Sequence, residues 1–146
     1  MNEEDKQMSV IEAIRTAELQ YVSRKWDTIY WAIDVYGTIS KPNYIQSAID
    51  YYPMAKETLK ILSDEPINKL ILYTCSYDND SFVMLDVFEQ DGIHFDFINS
   101  NPDVDNTYCG DFTKKPYFNI LLDDKAGFDP HCDWIKIFKR YNNNGQ

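Results

Sequence analysis

The sequence predicts an α/β fold built on a parallel sheet. Three observations carry this expectation. Short apolar, β-branched runs alternate along the chain with segments of helical period. The length, 146 residues, suits one domain and is enough to hide roughly 70% of the surface of the unfolded chain. Acidic and hydroxyl residues also follow the apolar runs, where a parallel sheet collects its ligands at the carboxyl ends of its strands.

Residues 8 to 24 read as a helix, with Val10, Ile11, Ile14, Ala17 and Tyr21 near a 3.6-residue period. This extension, residues 1–26, is expected to pack on the domain or against a second copy. Thr28 to Ile33 is the first strand, rich in β-branched and aromatic side chains. Pro53 is placed to open a helix running to about Leu62. Lys69 to Tyr73 is the second strand. Residues 79 to 90 form a helix that Gly92 stops. Phe95 to Ile98 and Phe118 to Leu122 are the third and fourth strands, and Trp134 to Phe138 is read as a fifth. The main domain spans 27–141, and 142–146 is expected to be a disordered tail.

The formal charge of −10 disfavours nucleic acid as a broad electrostatic partner, but not a small phosphorylated substrate whose field a metal ion inverts. No apolar run approaches the ~20 residues of a membrane helix, and the acidic start is unlike a signal peptide. A cytoplasmic protein with no membrane association is the expectation. Three cysteines, Cys75, Cys109 and Cys132, form no disulfide framework. Cys109, His131 and Cys132 lack zinc-site spacing, and Cys75 reads better as a buried structural thiol than as a nucleophile.

The residues at the ends of the strands are chemically specific. Asp34-Val-Tyr-Gly-Thr38 comes after the first, Thr74-Cys-Ser76 after the second, and Asp123-Asp124 after the fourth, with Lys114 and Lys115 just ahead of it. Phosphoryl transfer uses these residue types. A carboxylate can attack phosphorus, an acidic cluster can hold a divalent cation, and a lysine and a hydroxyl can stabilise the phosphoryl oxygens. Each feature also has an ordinary reading. Asp34-x-x-Gly is also a strand-ending turn, Thr74 or Ser76 a helix cap, and Lys114 and Lys115 solvated cations. Asp129 is either an outer metal partner or a loop residue. Tyr51, Tyr52 and the aromatics near Asn43-Tyr44 either pack in the core or line a site mouth.

The ordered set resembles the haloacid-dehalogenase-like (HAD-like) superfamily of phosphatases and phosphotransferases. Its first motif is Asp-x-Asp-Gly-Thr, here Asp34-Val-Tyr36-Gly37-Thr38. The second is Thr74 after Leu70-Ile-Leu-Tyr73, the third Lys114 or Lys115, and the fourth Asp123-Asp124 after Leu121-Leu122. The match spans residues 28 to 138 and looks like a small bacterial and phage branch. Receiver domains use similar residues with the acidic pair first; here the lone aspartate comes first.

The resemblance implies a Rossmannoid three-layer α/β/α sandwich with strand order 5-4-1-2-3 and no large cap domain. It implies Mg²⁺ bound by Asp34, the Tyr36 carbonyl, and Asp123 or Asp124. It implies an aspartyl-phosphate on Asp34, with Thr74 and a lysine gripping the phosphate. Lys115 is favoured because it lies closer to the strand. A phosphorylated substrate, small or macromolecule-borne, is the implied partner, and a homo-oligomer could cover an open site. One position departs from the pattern: Tyr36 stands where the family's second aspartate acts as acid and base. A phenol with a pKa of ~10 can donate a proton but is a poor base near neutrality. The expectation is therefore a phosphohydrolase, with Asp78 or Asp80 available as base, and with a catalytically degenerate metal- or ligand-binding protein as the alternative.

Overall fold

The computed structural model describes residues 3–43, 45 and 47–144, with side chains placed from Val10 to Asn142. In chain order, it contains α1 (Glu3–Ser23), β1 (Ile29–Asp34), α2 (Ala55–Asp64), β2 (Asn68–Tyr73), α3 (Asp78–Gln90), β3 (Phe97–Ile98), β4 (Ile120–Leu122) and α4 (Asp133–Asn144). A 3₁₀ turn, Asp124–Ala126, lies between β4 and α4. The four strands are parallel, in the order β3-β2-β1-β4. This is the α/β architecture read from the alternating runs.

The register divides the sheet into two unlike faces. Ile29, Trp31 and Ile33 lie level with Asn68, Leu70 and Leu72, and Trp31 and Ile33 with Ile120 and Leu122. These residues form one face, and its apolar members join a single core cluster with Val10, Ile14, Ala17, Leu59, Leu62, Phe88, Trp134 and Ile137. Helices α1 to α4 therefore all contribute to the same core. The N-terminal helix α1 is part of it, with Ile14 and Ala17 essentially inaccessible. An ion pair between Glu18 and Arg140 joins α1 to α4.

The opposite face, with Tyr30, Ala32, Lys69, Ile71 and Tyr73, is covered differently. The connection between β3 and β4 crosses it without forming a helix. Tyr117 packs edge-on against Tyr30, and Phe118 lies tilted against Tyr73. Asp103 accepts from the Tyr30 hydroxyl and pairs with Lys69. The expected three-layer sandwich is thus a helical layer, a sheet and an irregular cover. Burial and the neighbouring Asp103 push the Tyr30 phenol up to about 12, so it remains a proton donor at neutral pH.

The third and fourth strands are shorter than expected, beginning at Phe97 and Ile120, and three further differences have identifiable reasons. Residues 134–138 are not a fifth strand but part of α4. Trp134, Ile137 and Tyr141 recur at helical spacing on the core side, while Ile135 is exposed. Trp, Ile and Phe favour strands in isolation, and the 3.6-residue period extends over too few residues to overrule them. α4 also runs through Asn142 to Asn144, so that part of the expected disordered tail is helical; Gly145 and Gln146 lie outside the described residues. α2 begins at Ala55 rather than Pro53 because Met54 adopts a left-handed conformation, φ 66°. By contrast, α3 ends as Gly92 predicts. Gly92, at φ 84°, donates to Glu89 and the buried Ile93 donates to Phe88, a closing pair of bonds that caps the helix.

One polar contact inside the core sets the β1–β2 seam. Trp31 Nε1 donates to Asn68 Oδ1 at 3.0 Å, and Asn68 Nδ2 donates to the Leu62 carbonyl at 3.1 Å. Replacing Asn68→Leu strands both partners in an apolar interior. The expected loss of folding stability is about 2 kcal/mol or more, read as a lower urea midpoint at unchanged slope.

Candidate metal and phosphate site

The sheet register brings the strand ends together. Asp34 ends β1 level with Tyr73, so Thr74 begins just beyond it on one side. Ile33 lies level with Leu122, so Asp123 is next on the other. Asp34, Asp123 and Asp124 offer carboxylate oxygens within 4.8 Å of one another.

Thr38 organises this cluster. Its side chain is fully buried. Its Oγ1 lies 3.1 Å from Asp34 Oδ2 and 3.2 Å from Asp124 Oδ1, and accepts from the Asp124 N–H at 2.9 Å. A hydroxyl has one proton, so it satisfies only one of the two carboxylates at a time. The loop bearing Thr38 is fastened from behind, where Trp134 Nε1 donates to the Thr38 carbonyl at 2.8 Å. Gly37 makes the close approach feasible. Its φ is +89°, and a Cβ there would sit 2.8 Å from Asp124 Oδ2.

The electrostatics reflect this crowding. Among the described residues, no ion pair reaches Asp34, Asp123 or Asp124. Burial first, then the Asp123 charge, pushes the Asp34 carboxyl up to about 7; the Thr38 hydrogen bond works in the opposite direction. Three acids, two of them sharing one hydroxyl, with no paired cation among the described residues suit a divalent metal, which would supply the positive charge.

The structure places the remaining candidates in different settings. The Thr74 hydroxyl is paired with the Ser76 hydroxyl at 3.0 Å. Asn99, in a left-handed conformation at the end of β3, accepts from the Thr74 N–H at 2.8 Å and donates to the Thr74 carbonyl at 2.7 Å. Lys114 and Lys115 are both exposed, and neither forms an ion pair with the acidic cluster. Lys115 lines an open pocket with Phe112, Tyr117 and Phe118. Tyr36 is half-buried with its ring against the core cluster and its hydroxyl oxygen shielded from solvent. Asp78 and Asp80 occupy the first turn of α3.

Other residues take ordinary roles. Asp129 accepts from the His131 N–H in the turn before α4. Tyr52 is buried against the His131 ring, and the Tyr51 hydroxyl donates to Asp91. Tyr44 lies outside the described residues. Cys75 and Cys109 are exposed and Cys132 is half-buried, so the expectation of a buried Cys75 is not met. Among the described residues, Cys109, His131 and Cys132 form no metal-binding group. Thr38 stands in the first motif with no role assigned by the sequence, whereas Asn99 and Trp134 carry no sequence signal, because their site contacts are purely tertiary.

The raised Asp34 carboxyl has a measurable consequence. The folded metal-free protein holds this proton more tightly than the unfolded chain, whose aspartates titrate near ~4. Stability therefore falls as pH rises from about 4 through about 7. The melting temperature should decline over that window in chelator, and Asp34→Asn should flatten the decline. Mg²⁺ at neutral pH should raise the melting temperature of the wild type and leave that of the variant unchanged.

A solved structure described as a conserved protein from Bacteroides thetaiotaomicron is similar to this chain. The two share 26% identity with a TM-score of 0.60, over 80% of this chain and 92% of that one. No protein-family model matches the chain, and no curated protein matches it. The likeness supports the α/β fold with its parallel sheet and flanking helices. No helix among the described residues is long and apolar enough to cross a membrane.

Proposed function

We propose that this chain is a HAD-like, Mg²⁺-dependent phosphohydrolase with an open, capless site, acting through an aspartyl-phosphate on Asp34. The observation that carries this reading is the convergence of Asp34, Asp123 and Asp124 at the strand ends, with the buried Thr38 hydroxyl between Asp34 and Asp124 and no ion-paired cation beside them among the described residues. Mg²⁺ would be held by Asp34, the Tyr36 carbonyl and Asp123 or Asp124, and would supply charge neutralisation of the phosphoryl group.

An Asp34 oxygen attacks phosphorus, and the ester P–O bond breaks with its electron pair leaving on the alcohol oxygen. Thr38 steadies the carboxylate for this attack, and the Thr74 and Ser76 hydroxyls, with Lys115, are assigned to the phosphoryl oxygens. Water then attacks at phosphorus as the bond from the Asp34 oxygen to phosphorus breaks, releasing inorganic phosphate and restoring the carboxylate; the proton that water gives up balances, through solvent, the one the alkoxide takes up.

A second reading is favoured by one specific observation. The position that normally supplies the acid and base carries Tyr36, packed on the core with its hydroxyl out of solvent. A protein so built could bind the cation and a phosphate and turn over slowly or not at all. Esters with acidic leaving groups, which need no protonation, are the substrates least affected by this lack.

Hydrolysis of 4-nitrophenyl phosphate in Mg²⁺ should be measurable and should fall to the uncatalysed level in Asp34→Asn. If both proteins are inert across a panel of phosphate esters, the enzyme reading fails; Mg²⁺ binding by calorimetry without turnover would establish the second. Tyr36→Phe should retain the wild-type rate within about twofold. A loss of about 10²-fold, the scale of general acid catalysis, would instead place the phenolic proton in the reaction.

A further inference from the structure

β2 and β3 pair as parallel strands as far as Leu72 and Ile98. The Asn99 N–H then donates to the Leu72 carbonyl at 2.9 Å, the closing backbone bond of this ladder. If the ladder continued, the Thr74 N–H would donate to the Asn99 carbonyl, and the Thr74 carbonyl would accept from the Asn101 N–H. Asn99 is instead left-handed, at φ 51°, and the main chain turns away.

The Asn99 side chain takes over both bonds. Its Oδ1 accepts from the Thr74 N–H at 2.8 Å, and its Nδ2 donates to the Thr74 carbonyl at 2.7 Å. One planar amide thus stands in for two peptide groups that a further stretch of strand would supply. Few residues can do this. Glycine accepts the left-handed backbone but has no side chain. Aspartate tolerates the backbone but, when ionised, cannot donate to the carbonyl. Asn99 is itself exposed, so its two bonds compete with water and add little to folding stability. Their effect is local, on where the half-buried Thr74 sits.

Thr74 in turn presents a donor. Its hydroxyl accepts from the Ser76 N–H at 3.2 Å and pairs with the Ser76 hydroxyl at 3.0 Å. Two hydroxyls carry two protons, and the bond between them uses one. No described residue accepts the other, which is left for water or for an anion. Thr74 follows Tyr73, which lies level with Asp34, so this donor stands at the strand ends where the acids gather.

We propose that Asn99 is a positioning residue for phosphate: by holding the Thr74 peptide it fixes the Thr74–Ser76 hydroxyl pair as an oxyanion donor at the end of β2. The role rests on Thr74 being at the phosphate, as proposed above. Phosphate binding needs no turnover, so it separates this role from the enzyme reading.

Calorimetric titration of the full chain with inorganic phosphate in Mg²⁺ tests it, through a double-mutant cycle of Asn99→Gly and Thr74→Val. Asn99→Gly keeps the backbone turn and removes the amide, and Thr74→Val keeps the shape and removes the hydroxyl. A hydrogen bond to a charged group is worth about tenfold or more, so Thr74→Val should weaken phosphate binding by about tenfold. Asn99→Gly should weaken it by about fivefold alone and by less than about twofold in the Thr74→Val background, because the two residues act through one contact. Losses that simply multiply, or phosphate bound equally well by Asn99→Gly and the wild type, would overturn the role and leave the phosphate site standing. A melting temperature lowered by more than about 10 °C in Asn99→Gly, far beyond the few degrees that go with a loss of about 1 kcal/mol, would make Asn99 a structural residue and also overturn it. A wild type that binds no phosphate removes the role together with the phosphate reading. Coupled losses in a protein that hydrolyses nothing uphold the role and remove only the enzyme reading.

Discussion

One buried hydroxyl organises the carboxyl end of this sheet. Thr38 Oγ1 lies between Asp34 and Asp124 and has one proton for both. Everything around it serves that placement. Gly37 lets the backbone turn within contact of Asp124, Trp134 holds the Thr38 carbonyl from the core side, and the register of β1 with β4 delivers Asp123 alongside. The result is a cluster of acids that no ion pair among the described residues neutralises. Protonation of Asp34, whose carboxyl is pushed up to about 7, relieves part of that repulsion in the metal-free chain, and a divalent cation held by the three acids would relieve it further.

The two faces of the sheet divide the work. The face bearing Trp31, Ile33, Leu70 and Leu72 packs with α1 to α4 in one core and is the source of stability. The other face is covered by the 99–119 connection, whose aromatic rings rest on Tyr30 and Tyr73 rather than on a helix. An irregular cover of this kind can be reshaped without disturbing the core. The acidic cluster lies at the strand ends, and Lys115 lies on the connection that covers the second face.

Tyr36 is divided between the turn after β1 and the core. Its backbone sits in the turn that shapes the site, while its ring belongs to the core and its hydroxyl is withdrawn from solvent. The geometry thus keeps three carboxylates that could hold a cation, while the position of Tyr36 presents no solvent-facing acid. Asp78 and Asp80 begin α3 on the far side of the Thr74–Ser76 turn.

Much is legible in the sequence because it depends on local chemistry. Apolar runs mark β1, β2 and β4, Gly92 marks the end of α3, and the order of Asp34, Thr74 and Asp123-Asp124 is evident from the residues that end each run. In a parallel sheet those positions must share one edge, so their convergence needs no coordinates. Residues 134–138 read as a strand because strand-favouring side chains cannot reveal a helical period over five residues, and only packing against α2 and α1 decides it. The roles of Thr38, Asn99 and Trp134, and the placing of Lys115 in the loop pocket with Phe112, Tyr117 and Phe118, belong to tertiary structure alone. Each depends on contacts between residues tens of positions apart, and no local pattern encodes such a meeting.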